Sequence, residues 1–440
     1  MRGLHVLGLA VAALGGATAA GLTARAPRAT LRTDAGGRAG ADSARVARLL
    51  GALAHTDPVI CDLVGDQLGN FWMGNAGGLS RFGDAPDLQG AKDSLAGSVT
   101  DPRAIGLLQA TLGTDNTCVR RVAAKLLGNS TVSIAVLGRL LGDPSPRIRE
   151  SAAYAAGVGE RRETRAALEH RLTDSAAVAA MAAWALGEIQ DPASAPSLQN
   201  AMHSPSPRVR LASTWALGQF EDASFAKDVV PLLRDADPVM RATAAEALGQ
   251  MKSPRVGTAL IGALTDRSDA VRRAAANALG EMHERSAVMP LEGLLLNDPD
   301  PDVRRECANA LGNVGLARSL EPLARALEDQ DADVRHEAAN AIGNLNDVAK
   351  APAALIRATT SPDVDLRRHA TDALAHIGDP ASVQALLDRL RDDDKGIRLA
   401  AVEGLGELNV AGAIPGLTLA LNDRDPEVRR AAAEALGKTQ

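Results

Sequence analysis

The sequence predicts an all-α fold, an α-solenoid: a superhelical array of about 12–13 helical hairpins with a period of about 31 residues. Three observations lead there. The segment Val334 to Gly343 (VRHEAANAIG) recurs down the chain at nearly equal intervals, its closing position falling at 128, 157, 187, 218, 249, 280, 312, 343, 375, 406 and 437. Self-similarity at such a fixed period marks stacked helical units. Second, only 8 of 440 residues are aromatic although 46% belong to the hydrophobic set, so small aliphatic side chains must fill the interior and the elements must pack closely. Third, apolar residues stand at −9, −5, −2 and −1 from the closing position, which forms one stripe of an amphipathic helix.

The elements follow in chain order. Residues 1–24 join a basic start (Arg2) to an uncharged run of Ala, Gly, Leu, Val and Thr that ends on small residues, the pattern of a signal peptide. The alternative is a membrane anchor formed by residues 6–24. Residues 25–42 read as a flexible linker. Residues 43–118 read as divergent units, with Ser43–Ala54 and Pro58–Leu68 as one hairpin. Within them Gly69–Thr100, which carries Phe71, Trp72 and Phe82 among many glycines, is an insertion or a cap over the first apolar face. Residues 119–440 hold eleven regular units. In these, Ala at −5 and at most −2 positions lets neighbouring helices approach, and the closing Gly suits a left-handed C-cap. Second helices such as Arg318–Glu328 and Ala381–Arg391 lie between the copies. They are joined by turns such as Asp237-Pro238, Asp298-Pro299 and Asp425-Pro426, where Asp caps and Pro enters the first helical turn. Such a hairpin cannot bury its stripe alone; stacking buries it.

The Asp-Pro turn, the Val-Arg pair, the Ala-Ala pair and the Ala-Leu-Gly ending resemble the HEAT repeats of the phycobilisome-lyase-like class, strongly over 119–437 and weakly over 43–118. The resemblance implies the solenoid and leaves function open, because such arrays serve many tasks. The same class includes deoxyhypusine hydroxylase, whose di-iron site needs several His-Glu pairs in different repeats. Here His336-Glu337 stands at the matching place, while equivalent positions hold Arg305-Glu306, Arg368-His369, Arg273-Ala274 and Arg430-Ala431. One pair does not complete an iron site, so His336 is expected at the surface and no metal or cofactor is expected. Near-matches to a phosphate loop (Leu436 to Thr439) and a calcium loop (Asp329 to Asp333) each lack a required glycine.

Two rows of residues invite a role. Arg occupies −8 in ten of eleven copies, among them Arg210, Arg241, Arg272, Arg304, Arg335, Arg367, Arg398 and Arg429, and is read as a structural ladder to turn carboxylates and carbonyls. Position −3 holds Tyr154, Trp184 and Trp215 in consecutive copies, beside Met181 and Leu211. These rings are either an exposed binding patch or filler between repeats. Further on, the same row becomes a polar ladder of Glu246, Asn277, Asn309, Asn340 and Asp372. Cys61 and Cys118 either bridge or stay as buried thiols, and Cys307 is inert in the packed stripe.

A formal charge of −6 gives no general grip on nucleic acid or an acidic membrane. The expected function is a non-catalytic, exported scaffold, monomeric, that binds a protein or peptide on its concave face. The alternatives are a bilin-lyase-like or hydroxylase-like enzyme implied by the resemblance, and the regulatory or sensor portion of a membrane-associated system.

Overall fold

The computed structural model describes residues 38–54 and 99–438, and every regular element among them is helical. The chain forms two compact units, Met1–Phe220 and Glu221–Gln440. In both, a short helix and the long helix after it make a hairpin, and successive long helices pack side by side. The long helices of the first unit include Thr117–Gly128, Pro146–Val158, Ala176–Ile189 and Pro207–Gly218. Those of the second run from Pro238–Met251 to Pro426–Lys438. Short helices hardly touch one another; each leans on its own long helix. The first described helix is Arg38–Leu53, so residues 38–42, expected in the linker, are helical. The expected helix Pro58–Leu68, Cys61 and nearly all of the 69–100 insertion lie outside the described residues.

Local chemistry sets the helix ends. Asp237 accepts a hydrogen bond from the Val239 amide, with Pro238 in the first turn. Asp300 does the same for Val303 ahead of Pro301. The Asp298-Pro299 pair lies earlier than expected, because Asp298 closes the preceding helix Val288–Asn297. The second helices are also shorter than their apolar pattern suggests. Arg318–Glu328 resolves into a 3-10 turn, Ala317–Ser319, and a helix, Leu320–Ala326. Ala381–Arg391 likewise divides into Pro380–Ser382 and Val383–Arg389.

The closing glycine is not a C-cap. It sits inside the long helix, and the left-handed residue comes later. Glu160, Gln190, Glu221, Lys252, His283, Gly315, Gly378 and Asn409 lie three positions beyond the closing residue, and Asp347 four beyond, all with φ between 46° and 70°. The glycine serves close approach instead. A Cβ on Gly312 would lie 2.9 Å from Ala341 Cα, and one on Gly280 would lie 2.7 Å from Ala310 Cα. Gly249 faces Ala278 and Gly406 faces Ala435 in the same way. Each pair joins the closing glycine of one repeat to the −2 alanine of the next. At one seam the partners exchange: Ala375 stands at the closing position and Gly404 at −2, where a Cβ would meet Ala375 Cβ at 2.6 Å. The contact therefore demands one residue without a Cβ and does not specify which helix supplies it.

Gly312→Ala is expected to lower stability in urea denaturation by about 1–3 kcal/mol through overpacking. Adding Ala341→Gly should restore much of that loss, since it recreates the exchanged seam at 375 and 404. Gly293→Ala, in the helix Val288–Asn297 with no atom within 4 Å of the new Cβ, should instead gain about 0.5–1 kcal/mol. Equal losses at 312 and 293 would remove the close-approach account.

Candidate functional site

The Arg row at −8 joins turn to turn. Arg149, Arg241, Arg272, Arg304, Arg367 and Arg398 each reach the aspartate 25 or 26 residues ahead with Nε and Nη2, forming bidentate bonds of 2.7–3.1 Å to Asp174, Asp266, Asp298, Asp329, Asp392 and Asp423. In each, Nη1 donates back to a carbonyl of its own turn, as Arg272 does to Asp266 at 2.9 Å. The planar fork and the second carboxylate oxygen make these pairs strong and directional. Asp298 also accepts the Asp300 amide at 2.9 Å, so one carboxylate shapes its own turn and holds the previous repeat. The remaining arginines depart from the pattern. In the turn after Arg335, Ser361 stands in place of the aspartate and its hydroxyl accepts the Asp363 amide, while Arg335 lies 3.8 Å from Asp363. Arg210, Arg429 and Arg120 donate to their own turn carbonyls. The Arg149 hydrogen bond holds the Asp174 carboxyl well below the usual range, at about 2.

The aromatic row is mostly interior, which fits filler between repeats and not the exposed binding patch. Trp184 is 4% exposed, Met181 5% and Tyr154 8%; Leu211 and Trp215 are half-buried. The reason is again the closing glycine. The Trp184 ring lies over Gly157, and the Trp215 ring over Gly187, where a Cβ would meet Cζ3 at 2.7 and 2.8 Å. Tyr154 stacks on Trp184 with centroids 5.2 Å apart. The rings thus occupy the space that the missing side chains leave. Tyr154 and Met181 keep one edge toward a cavity of about 300 Å³, whose walls carry Arg120, Arg121, Glu150 and Arg208.

On the second unit the −3 row is more open. Glu246 and Asn340 are exposed, while Asn277, Asn309 and Asp372 are half-buried. Asn309 and Asn340 donate to Glu306 and Glu337, each at 2.9 Å. Burial pushes the Glu306 and Asp372 carboxyls above their ordinary values. A line of alternating charges runs beside them. Asp302 lies 3.9 Å from Arg273 and 3.0 Å from Arg305, and Asp333 lies 3.9 Å from Arg305 and 4.0 Å from His336. His336 is buried at 7% exposure, contrary to its expected place at the surface. Its Nε2 sits 2.8 Å from Asp363, and its ring packs on His369 of the next repeat, so it works as a seam residue. Among the described residues no group of three or more His, Cys, Asp or Glu is placed to hold a metal ion. Cys118 is disulfide-bonded, and Cys307 is a buried free thiol. Cys61 lies outside the described residues.

Sequence reasoning passes over the cavity, because Arg120 reads as one more rung of the ladder. The available signal is the shortened spacing: the closing positions 128 and 157 lie 29 residues apart, so the turn aspartate Asp143 follows Arg120 by 23 residues, where Asp174 follows Arg149 by 25.

Trp184→Ala should cost about 3–5 kcal/mol in thermal or denaturant unfolding, as a buried ring lost between repeats does. A loss under about 1 kcal/mol would contradict the packing described. Because the Asp174 carboxyl titrates lower in the folded protein than unfolded, its contribution is complete above about pH 4 and is lost as pH falls toward 2. Asp174→Asn should remove on the order of 1–2 kcal/mol at neutral pH and flatten the stability–pH slope between those limits.

The family model for HEAT repeats matches residues 165–233, 199–274, 258–342, 320–398 and 385–440. No curated protein matches the chain in sequence. Among solved structures, Kap95p in its complex with RanGDP is similar in fold, with a TM-score of 0.51 and 16% identity over 90% of this chain and 60% of that one. An engineered protein aligns over 76% of this chain and 98% of its own, at 22% identity and a TM-score of 0.45. The CpcE–CpcF complex of phycocyanin lyase from Nostoc sp. PCC7120 aligns over 56% and 94%, at 21% identity and a TM-score of 0.35. With its repeats packed through the seams described within each unit and the repeat model matching more than half of its length, the chain belongs to the HEAT-repeat family.

Proposed function

We propose that this protein is an exported, non-catalytic scaffold that binds a protein or peptide along its long-helix face. One observation carries the reading. Positions that the stacking requires repeat with little change: the closing glycine, Ala at −5 and −2, Arg at −8 and the turn aspartate. The −3 row does not repeat. It runs from Lys125 through Tyr154, Trp184 and Trp215 to Glu246, Asn277, Asn309, Asn340, Asp372, Glu403 and Glu434. A position that stacking leaves free to vary, with side chains reaching solvent in the second unit, is available for recognition. A pre-formed surface also spares a partner's binding the cost of ordering it. Export is supported by the leader-like residues 1–24 and by the disulfide at Cys118, which suits an oxidising compartment.

The test places a photo-crosslinking residue at Asn340, exposed on the long-helix face, or at Arg325, exposed on the short helix Leu320–Ala326. In the native host, site 340 should yield crosslinked polypeptide and site 325 none. Equal crosslinking at both sites, or none at 340, would discard the scaffold reading. The mature chain should begin beyond Ala19 by mass spectrometry; an intact Met1 on a cytosolic form would discard export.

A further inference from the structure

We propose that the seam between the long helices Ala332–Gly343 and Val364–Ile377 is a hinge, the joint of the unit Glu221–Gln440 at which neighbouring repeats rotate against each other while the seams on either side hold. The inference goes beyond the scaffold reading and does not rest on it. Three separate features meet at this seam.

The first is backbone spacing. A Cβ on Gly343 would lie 3.3 Å from Ala373 Cα. The same distance is 2.9 Å at Gly249–Ala278, 2.7 Å at Gly280–Ala310 and 2.9 Å at Gly312–Ala341. Beyond the seam it is 2.9 Å at the exchanged pair Gly404–Ala375 and 3.1 Å at Gly406–Ala435. The helices that meet at 343 and 373 are therefore the least tightly interlocked of the row, and tight interlocking is what resists sliding.

The second is the polar link. Arg241, Arg272 and Arg304 before the seam, and Arg367 and Arg398 after it, each hold an aspartate of the next turn with two bonds. Ser361 follows Arg335 by 26 residues, as Asp298 follows Arg272, and its side chain is too short to return the fork. The seam is linked instead by His336, whose Nε2 meets Asp363 at 2.8 Å and whose ring packs on His369 at 5.9 Å with a tilt of 33°. A planar fork on two oxygens resists rotation, whereas one bond acts as a pivot. Arg357 and Glu328 also pair across the seam, with both side chains mostly exposed, and such a pair holds little.

The third is the connection. In the neighbouring repeats Gly315-Leu316 and Gly378-Asp379 lead directly from the long helix into a 3-10 turn. Here residues 344–352 lead to the short helix Ala353–Ala358 with no 3-10 turn before it. This stretch is pinned on both sides of the seam. The Asn346 amide donates to the Gly315 carbonyl at 2.9 Å, and the Ala351 amide donates to the Asp379 carboxylate at 3.0 Å. Between the pins, Val348 and Ala349 belong to no regular element. A few such residues absorb the φ and ψ changes of a hinge. Rotation here changes the distance between Asn340 and Asp372, which hold the same −3 place in the repeats on either side.

The experiment puts genetically encoded nitroxide side chains into the full chain in pairs and reads distance distributions by pulsed electron paramagnetic resonance. The pair 325 and 388 spans the hinge and the seam after it, and the pair 262 and 325 spans the two seams before it. Gly262, Arg325 and Asp388 are all exposed on short helices. The 325–388 distribution should be about twofold broader than the 262–325 distribution. Ser361→Asp gives Arg335 its missing carboxylate and should narrow 325–388 to the width of the other pair, without lowering the melting temperature. Ser361→Ala, which adds no carboxylate, should leave it broad. Asp298→Ser, which removes a rung between the labels at 262 and 325, should broaden that pair. Equal widths in the two pairs would overturn the proposal. So would a 325–388 width that Ser361→Asp leaves unchanged or Ser361→Ala narrows, a lower melting temperature in Ser361→Asp, or a 262–325 width indifferent to Asp298→Ser.

Discussion

One steric contact governs this protein: a helix backbone pressed against the Cα of an alanine in the next repeat, with no Cβ between them. Helices with ordinary side chains pack about 8–10 Å apart. The seams at Gly312–Ala341 and Gly280–Ala310 leave no room even for a methyl group. The chain's shortage of aromatic residues follows from this spacing, since a layer that tight accepts Ala, Leu and Val far more readily than rings. The exchanged pair at Ala375 and Gly404 shows that the constraint belongs to the contact and not to a sequence position.

The Arg–Asp ladder is the polar counterpart of that seam. Close packing sets how near two repeats lie, and the bidentate pairs fix how their turns are aligned. Because aspartates of the ladder also accept amide hydrogen bonds in their own turns, alignment and helix capping are coupled. Where a turn lacks the aspartate, the geometry changes locally. At Ser361, which stands in the aspartate's place, the neighbouring His336 links to the next repeat through Asp363. In the shorter repeat that closes at Gly157 the aspartate is present as Asp143, which accepts the Ser145 amide at 2.8 Å, while Arg120 donates to the Thr114 carbonyl.

Much of the fold was legible in the sequence for a physical reason: stacking recreates the same environment once per repeat, so a single stripe is written many times. The period, the buried −9, −5, −2 and −1 positions and the caps at Asp237 and Asp300 follow from local pattern alone. The closing glycine was harder. A glycine near a helix end fits either a left-handed cap or a close approach, and only the neighbouring helix distinguishes them. The left-handed residues are mostly Glu, Gln, Lys, His, Asp and Asn, which carry no such signature.

The site was legible only in part. The −3 row was found from its spacing, yet spacing does not decide burial: Trp184 is covered because Gly157 leaves a hollow beneath it, while Asn340 at the same register reaches solvent. His336 reads as a surface residue along its own helix and is interior because Asp363 and His369 come from the next repeat. By itself, then, the sequence determined the repeat, its helical stripe and the residues that every copy must supply, because those are dictated within one hairpin. Tertiary structure alone decided which side chains face water and which ladder arginines reach an aspartate, because both depend on what the adjacent repeat places opposite.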